Sequence, residues 1–144
     1  MTDKAHQALA VDIITPMGVI DEGQAGFVAA TGAAGELGIL PRHASLVSRL
    51  GTGQVRVHRE GLTSGKRDYY AIRGGILQVE SDHLTLLVPQ AIAGKDVDED
   101  EVKSELASTV EALAHPESDE QFEELLDQRK WCEARLSAVR KTKE

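Results

Sequence analysis

The chain has 144 residues, 41% of them hydrophobic, so it can form a folded domain with a core and an additional element. Only five residues are aromatic and the formal net charge is −8, which disfavours a nucleic-acid-binding protein, because such proteins need clustered cations and stacking surfaces. The single cysteine, Cys132, cannot form an internal disulfide, and no apolar run approaches the roughly 20 residues of a membrane-spanning helix. We therefore expect a soluble protein without a targeting segment or a metal site.

The first two thirds of the chain predict short β-strands. Apolar residues alternate with other residues in segments 9–14, 55–58 and 84–88. Glycine-containing segments such as Gly51-Thr52-Gly53 and Gly74-Gly75 lie between such runs and are expected to form turns. Many short strands separated by glycine turns favour an antiparallel β-sandwich or barrel.

The last third of the chain predicts two helices. A first helix is expected from about Asp98, its capping residue, to Ala114, where His115-Pro116 stops it. A second helix is expected to begin after Ser118, with Gln121 at its third position. The apolar stripes are Val102, Leu106, Val110 and Leu113 on the first helix and Phe122, Leu125, Leu126, Cys132, Leu136 and Val139 on the second. The short connection predicts an antiparallel hairpin.

Glycine content and charge mark the same boundary. All thirteen glycines lie at or before Gly94. Residues 1–95 carry nine Lys or Arg and nine Asp or Glu, whereas residues 96–144 carry seven and fifteen, so the second segment accounts for the whole net charge. We therefore divide the chain into a β-sandwich domain at 1–95 and a helical hairpin at 96–144.

The sign of the charge reverses within the hairpin. Residues 96–128 carry one cation and thirteen anions, whereas residues 129–144 carry six cations and two anions. Acids at the start and bases at the end of the second helix suit the helix dipole, which is one explanation. The other explanation is that the basic end binds a partner.

Sequence patterns of nucleotide, calcium and catalytic sites are incomplete in this chain. Residues 61–66 lack the spacing and the Ser or Thr of a phosphate-binding loop, and residues 32–38 precede a proline rather than a helix. The alternating acids of residues 96–100 lack the glycine of a calcium loop. His43 lies near Ser45, but no third group orients them for nucleophilic catalysis. We expect a protein that is not an enzyme and has no cofactor.

One segment has a specific pattern, Gly35-Glu36-Leu37-Gly38-Ile39-Leu40-Pro41-Arg42-His43-Ala44. It resembles the signature of the epsilon subunit of bacterial and chloroplast F-type ATP synthases. Segments 55–57, 74–79 and 84–87 agree with that family in order, and the two-helix tail has the expected length. The resemblance therefore covers nearly the whole chain.

The resemblance implies a non-catalytic rotor subunit of the central stalk, which acts in ATP synthesis and ion transport at the cytoplasmic face of the bacterial membrane. Its sandwich would join the gamma subunit to the ring of c subunits. The residues implied in this contact are Glu36, Leu37, Gly38, Ile39, Leu40, Pro41, Arg42 and His43. Core packing is the favoured explanation for Leu37, Ile39 and Leu40, whereas Glu36 is better explained as an interface residue because a buried unpaired carboxylate is costly.

The resemblance also implies that the hairpin inhibits ATP hydrolysis through contacts with the alpha and beta catalytic subunits. The cations implied in this contact are Arg129, Lys130, Arg135, Arg140, Lys141 and Lys143. Some family members bind ATP at the start of the first helix, but Glu101 stands here where they have an arginine, so we expect weak or absent ATP binding. The alternative is a β-sandwich adaptor with a helical protein-binding tail and no rotary role.

Overall fold

The computed structural model describes residues 8–63 and 65–144. The strands are β1 Leu9–Thr15, β2 Gly18–Ala25, β3 Phe27–Gly32, β4 Gly35–Ile39, β5 Leu46–His58, β6 Arg67–Glu80, β7 His83–Leu87 and β8 Ala91–Ala93. A 3-10 turn at Gly94–Asp96 leads to the helices α1 Glu99–Leu113 and α2 Asp119–Thr142. Residues 1–7 of the predicted 1–95 domain, and Ser64 within the turn predicted at 61–66, lie outside the described residues.

The strands form a β-sandwich, as predicted, and two long strands take part in both of its layers. Residues 52–58 of β5 pair with residues 67–73 of β6, and β3, β4 and β8 extend this first layer. Residues 46–50 of β5 pair with residues 75–79 of β6, and β7, β1 and β2 extend this second layer. The core between the layers is aliphatic, with the side chains of Leu9, Val55, Ile72 and Leu84 among those fully buried.

The expectation that Gly74-Gly75 and Gly51-Thr52-Gly53 are turns between strands is wrong, because both lie inside long strands. Gly74 and Gly75 have φ angles of 74° and 118°, which a residue with a Cβ rarely adopts. A Cβ on Gly75 would lie 2.5 Å from the carbonyl oxygen of Leu87. The glycine pair therefore marks the point at which β6 leaves the first layer and enters the second.

Among the strands of residues 8–63 and 65–144, all pairs are antiparallel except one. β1 runs parallel to β7, with Val11 opposite Leu84 and Ile13 opposite Leu86. These strands are separated by most of the sandwich sequence, and such a long connection is what a parallel pair requires. Local alternation patterns report the faces of a strand but not the direction of its neighbour, so the sequence did not predict this pair.

The two helices begin at the predicted caps. The side chain of Asp98 accepts a hydrogen bond from the backbone N of Glu101, and Ser118 Oγ accepts one from the backbone N of Gln121 at 3.0 Å. One member of the predicted stripe on α1 is misplaced, because Val110 is 50% exposed while Thr109 is buried. Thr109 follows Val102 by seven residues, two helical turns, and therefore shares its face.

Candidate partner-binding surfaces

The signature segment forms β4 and the turn that follows it, and we call residues 35–43 the docking edge. Ile39 is 1% exposed and Leu37 packs against the core cluster, so these two residues anchor the edge in the sandwich. Leu40 is 47% exposed, and the side chains of Glu36 and His43 are also exposed. The core explanation therefore fits Leu37 and Ile39 but not Leu40.

The turn of the docking edge is held by hydrogen bonds. Arg42 has a φ of 69°, and its backbone N donates to Asp82 Oδ1 in the β6–β7 turn at 2.5 Å. The backbone N of His43 donates to the carbonyl of Leu40 at 3.1 Å. His43 Nδ1 lies 2.8 Å from the carbonyl of Ala44, so the neutral ring holds its proton on Nδ1 and presents Nε2 as an acceptor. The edge is therefore ordered before any partner binds.

A second surface, the apolar row, crosses four strands of the second layer. Val19 of β2, Ile14 of β1, Leu87 of β7 and Ile76 of β6 stand directly opposite one another in the strand register. Directly paired residues share one face of a sheet, and three of these four side chains are exposed. Val47, 69% exposed, lies near the row on the same face. Exposed apolar residues in a continuous row indicate a protein-binding surface.

Local sequence patterns do not reveal the apolar row. Strand alternation assigns one face to the core and leaves the other to solvent, so outward residues attract no notice. The available signal was apolar character on both faces, in the run Leu84–Val88 and in Val19-Ile20. Only the strand register, which joins residues far apart in sequence, shows that these outward side chains form one row.

The helical hairpin lies against the first layer, with α2 next to the sheet. Trp131 packs on Ala71 of β6, together with Ala134 and Ala138 of α2. Arg73 of β6 donates to Asp127 of α2 from Nη2 at 2.6 Å and from Nε at 2.9 Å. The interface is therefore a small apolar contact with an ion pair at its side.

The other face of α2 packs against α1, and most of its polar contacts involve Glu105 of α1. Arg135 and Cys132 of α2 donate to Glu105 Oε2, the thiol at 3.3 Å, and Gln128 Nε2 donates to the same oxygen at 2.6 Å. Partial burial would raise the pKa of Glu105, but the hydrogen bonds from Arg135 and Cys132 outweigh it and hold the pKa below its ordinary value. Burial, followed by the adjacent Glu105 carboxylate, raises the pKa of the Cys132 thiol.

A second acid of α1 pairs with the basic end of α2. Glu99 Oε1 accepts from Lys143 Nζ at 2.8 Å, and Arg140 Nε lies 3.5 Å from Glu99 Oε2. The hydrogen bond from Lys143 lowers the pKa of Glu99 to about 2. Three of the six cations implied in inhibition, Arg135, Arg140 and Lys143, are therefore paired with acids of α1.

The other three cations of that set face different surroundings. Lys130 lines an open groove between α2 and the β3–β4 and β5 segments. Lys141 lines a cavity that also includes Glu36 of the docking edge. Arg129 is half-buried, and its Nε has no hydrogen-bond partner among the described residues. The helices thus bring Lys141 and the docking edge together, a juxtaposition that the sequence did not predict.

Comparisons with known proteins agree with this architecture. Residues 8–94 match the family model described as ATP synthase, Delta/Epsilon chain, beta-sandwich domain. The ATP synthase epsilon chain of Verminephrobacter eiseniae is 36% identical over 91% of this chain and 93% of its own length. That of Polaromonas naphthalenivorans is 35% identical over the same shares.

Solved structures show the same fold at lower identity. A chain in the cryo-EM structure of the Euglena gracilis mitochondrial ATP synthase is 20% identical and superposes with a TM-score of 0.78, over 93% of this chain and 82% of that chain. A chain of the Tetrahymena thermophila mitochondrial ATP synthase central stalk and c-ring is 11% identical, with a TM-score of 0.58, over 93% and 96%. Among the described residues, neither helix has the length and apolar content needed to cross a bilayer. The family match over the sandwich and the identity over both parts of the chain lead to one conclusion: the protein belongs to the ATP synthase epsilon chain family.

Proposed function

We propose that this chain is a non-catalytic rotor subunit of an F-type ATP synthase, peripheral to the cytoplasmic face of a bacterial membrane. Its sandwich joins the gamma subunit to the c-ring, and its hairpin regulates ATP hydrolysis. Family membership supports this proposal. The observation that carries it is the apolar row beside an ordered polar edge, because one sandwich then offers two chemically different surfaces to two partners.

The gamma subunit is the partner that we assign to the apolar row. Interfaces between permanent partners are more apolar than those between transient ones. The row spans four adjacent strands, about 14 Å at the usual strand spacing, which suits contact with a helix or a sheet face. Asp82, which holds the docking edge, is five residues before Leu87, about 17 Å along the strand, so the two surfaces are close enough for both partners to bind side by side.

The c-ring is the partner that we assign to the docking edge. Its exposed groups are a carboxylate at Glu36, the backbone-constrained turn at Arg42, and the imidazole of His43 with a free acceptor nitrogen. These groups suit the polar loops of a partner rather than an apolar surface. The hydrogen bonds that order the turn reduce the entropy lost on binding.

The hairpin regulates hydrolysis through the paired cations of α2. In the docked arrangement Glu99 and Glu105 of α1 neutralise Arg135, Arg140 and Lys143. These cations become available to acidic segments of the catalytic subunits when α1 separates from α2. Residues 96–144 as continuous helix would extend on the order of 70 Å, enough to reach far along the central stalk.

Co-purification tests the rotor proposal against the adaptor alternative. Tagged full-length chain should recover the gamma subunit and the catalytic hexamer from solubilised membranes of cells that express it. Leu87→Asp should abolish recovery of gamma, because it places a charge in the apolar row. Leu62→Asp is the matched control, since Leu62 and Leu87 are each 48% exposed and Leu62 lies outside the row. Recovery of other proteins without gamma would favour the adaptor.

A further inference from the structure

A partly enclosed cavity of about 200 Å³ lies between the outer face of the first layer and the last turns of α2. Strands β3 to β6 form its floor and α2 closes one side. Its polar lining consists of Thr31, Glu36, Gln54, Arg56, Tyr69 and Lys141. The cavity is formed only when the hairpin is docked, because Lys141 belongs to α2 and the other lining residues belong to the sandwich.

Two of the lining residues are cations without an ion-pair partner among residues 8–63 and 65–144. Arg56 Nε donates a hydrogen bond to His58 Nε2 at 2.7 Å. The terminal amino groups of Arg56 donate no hydrogen bond to a side chain within these residues. Lys141 is exposed, and the acids that pair with its neighbours Arg140 and Lys143 do not pair with it. The cavity therefore offers N–H donors and positive charge to an anion.

Two further lining residues have side-chain oxygens that can accept hydrogen bonds from a ligand. Gln54 Nε2 donates to the carbonyl of Ala134 at 2.7 Å, which fixes the orientation of the amide. Gln54 Oε1 is then buried without a hydrogen-bond partner among the described residues. The carboxylate of Glu36 adds a second acceptor. A buried acceptor left unpaired is costly, so a ligand that donates a hydrogen bond here would be favoured.

We propose that this cavity binds inorganic phosphate. At pH 7.5 the main form of phosphate is HPO4²⁻, which carries negatively charged oxygens and one P–OH group. The negative oxygens match Arg56 and Lys141, whereas the P–OH group can donate to Gln54 Oε1 or to the carboxylate of Glu36. Sulfate has the same shape and charge but no proton to donate at this pH, so Glu36 would repel it without compensation.

The size of the cavity agrees with this ligand. A water molecule occupies about 30 Å³ in the liquid, so 200 Å³ corresponds to six or seven waters. A tetrahedral ion with a few bridging waters fits this volume, whereas a complete nucleoside triphosphate is not enclosed. Bound phosphate would bridge Arg56 of β5 and Lys141 of α2, and so stabilise the docked hairpin. Phosphate binding is a property of the isolated chain and can be measured without the proposed function. Only an effect of bound phosphate on ATP hydrolysis depends on that function.

Calorimetric titration of the full chain with sodium phosphate at pH 7.5 tests the proposal. Saturable binding of one phosphate per chain is expected, with sulfate at matched ionic strength at least about tenfold weaker. Lys141→Gln should weaken phosphate binding at least about tenfold, because it removes a charged donor. Lys143→Gln is the matched control, since Lys143 lies on the same turn but pairs with Glu99, and it should leave affinity unchanged. Glu36→Gln should narrow the preference for phosphate over sulfate.

Several results would overturn the site. Absence of saturable heat, equal affinity for sulfate, or unchanged affinity in Lys141→Gln would each show that no phosphate-specific cavity exists. Tighter binding of ADP or ATP, in competition with phosphate, would assign the cavity to nucleotides instead. Lys141 is exposed, so its substitution should not prevent folding. None of these outcomes affects co-purification with gamma, which tests the rotor proposal separately.

Discussion

At the scale of single residues, the most unusual group is His58, at the end of β5. Its ring is buried, meets Phe27 edge to face at 5.1 Å, and accepts a hydrogen bond from Arg56 Nε at 2.7 Å. Burial, and then the positive charges of Arg56 and Arg67, lower the pKa of His58 below its ordinary value of 6.5. The folded protein therefore protonates this imidazole less readily than the unfolded chain does.

The buried imidazole predicts a loss of stability in mild acid. Below pH 6.5 the unfolded state binds a proton at His58 that the folded state does not, so the free energy of unfolding falls as pH falls. The loss from this group is at most about 1.4 kcal/mol per pH unit, and it ends below the lowered pKa of the folded state. In His58→Gln, urea unfolding between pH 7.5 and 5 should show a shallower decrease than in the wild-type chain. Parallel pH profiles would contradict the assignment, and His115→Gln, at an exposed histidine, provides the control.

At the scale of elements, α2 has two different buried faces that start at adjacent residues. Trp131 faces the sandwich, whereas Cys132 faces α1. Trp131 and Cys132 are the chain's single tryptophan and single cysteine, so each is a specific probe of one interface. The two interfaces also differ in chemistry, since Arg73 and Asp127 support the first and Glu105 and Arg135 support the second. The contact between α1 and α2 can therefore break while α2 stays packed on the sandwich.

Replacing Glu105 should loosen the contact between α1 and α2. Glu105→Gln removes the ion pair with Arg135, and because Glu105 is partly exposed we expect a cost of about 1 kcal/mol. Backbone amides of α1 should then exchange hydrogen for deuterium about fivefold faster, while those of the strands keep their rates. Glu101→Gln removes an equal charge from an exposed position of α1 and should leave exchange unchanged. Equal rates in both variants would show that the pair does not hold the helices together.

The start of α1 predicts weak ATP binding. Its first turn contains Glu99, Asp100 and Glu101 after the capping Asp98, and acids near a triphosphate repel it. Calorimetry with Mg-ATP should detect no binding tighter than about 1 mM, whereas Glu101→Arg, which reverses one charge, should strengthen it. Micromolar affinity of the wild-type chain would contradict this prediction.

Local sequence patterns predicted the sandwich, the helices and both helix caps, because each depends on residues within a few positions of one another. Val11 and Val57 are buried as their alternation predicted, and Asp98 and Ser118 cap the helices as expected. The bend at Gly74-Gly75 and the apolar row could not be predicted in this way. Both depend on register between distant strands, which a periodic pattern does not contain.

At the scale of the whole molecule, the apolar row and the hairpin use different layers of the sandwich. The apolar row belongs to the second layer, whereas α2 covers Tyr69, Ala71 and Ile92 of the first. In the proposed assembly, binding of gamma to the apolar row therefore does not require the hairpin to move. At the docking edge the surfaces of the two proposed functions meet, because Glu36 and Lys141 line the same cavity.

Removing the hairpin should therefore separate assembly from regulation. A chain ending at Lys95 keeps the apolar row and the docking edge, so we expect it to bind gamma and the c-ring as the full chain does. ATP hydrolysis by the assembled complex should rise, because no helices remain to reach the catalytic subunits. A change of about 1.4 kcal/mol in the free-energy difference between the two positions of the hairpin changes the ratio of their populations tenfold, so the rise in hydrolysis reports on that ratio. Removal of α2 exposes an apolar surface that includes Ala71. The Ala71→Ser variant of the short chain is the control for this exposure, and the complex that contains it should hydrolyse ATP at the same rate as the complex with the short chain itself. Unchanged hydrolysis in a complex with normal subunit content would show that the hairpin does not inhibit.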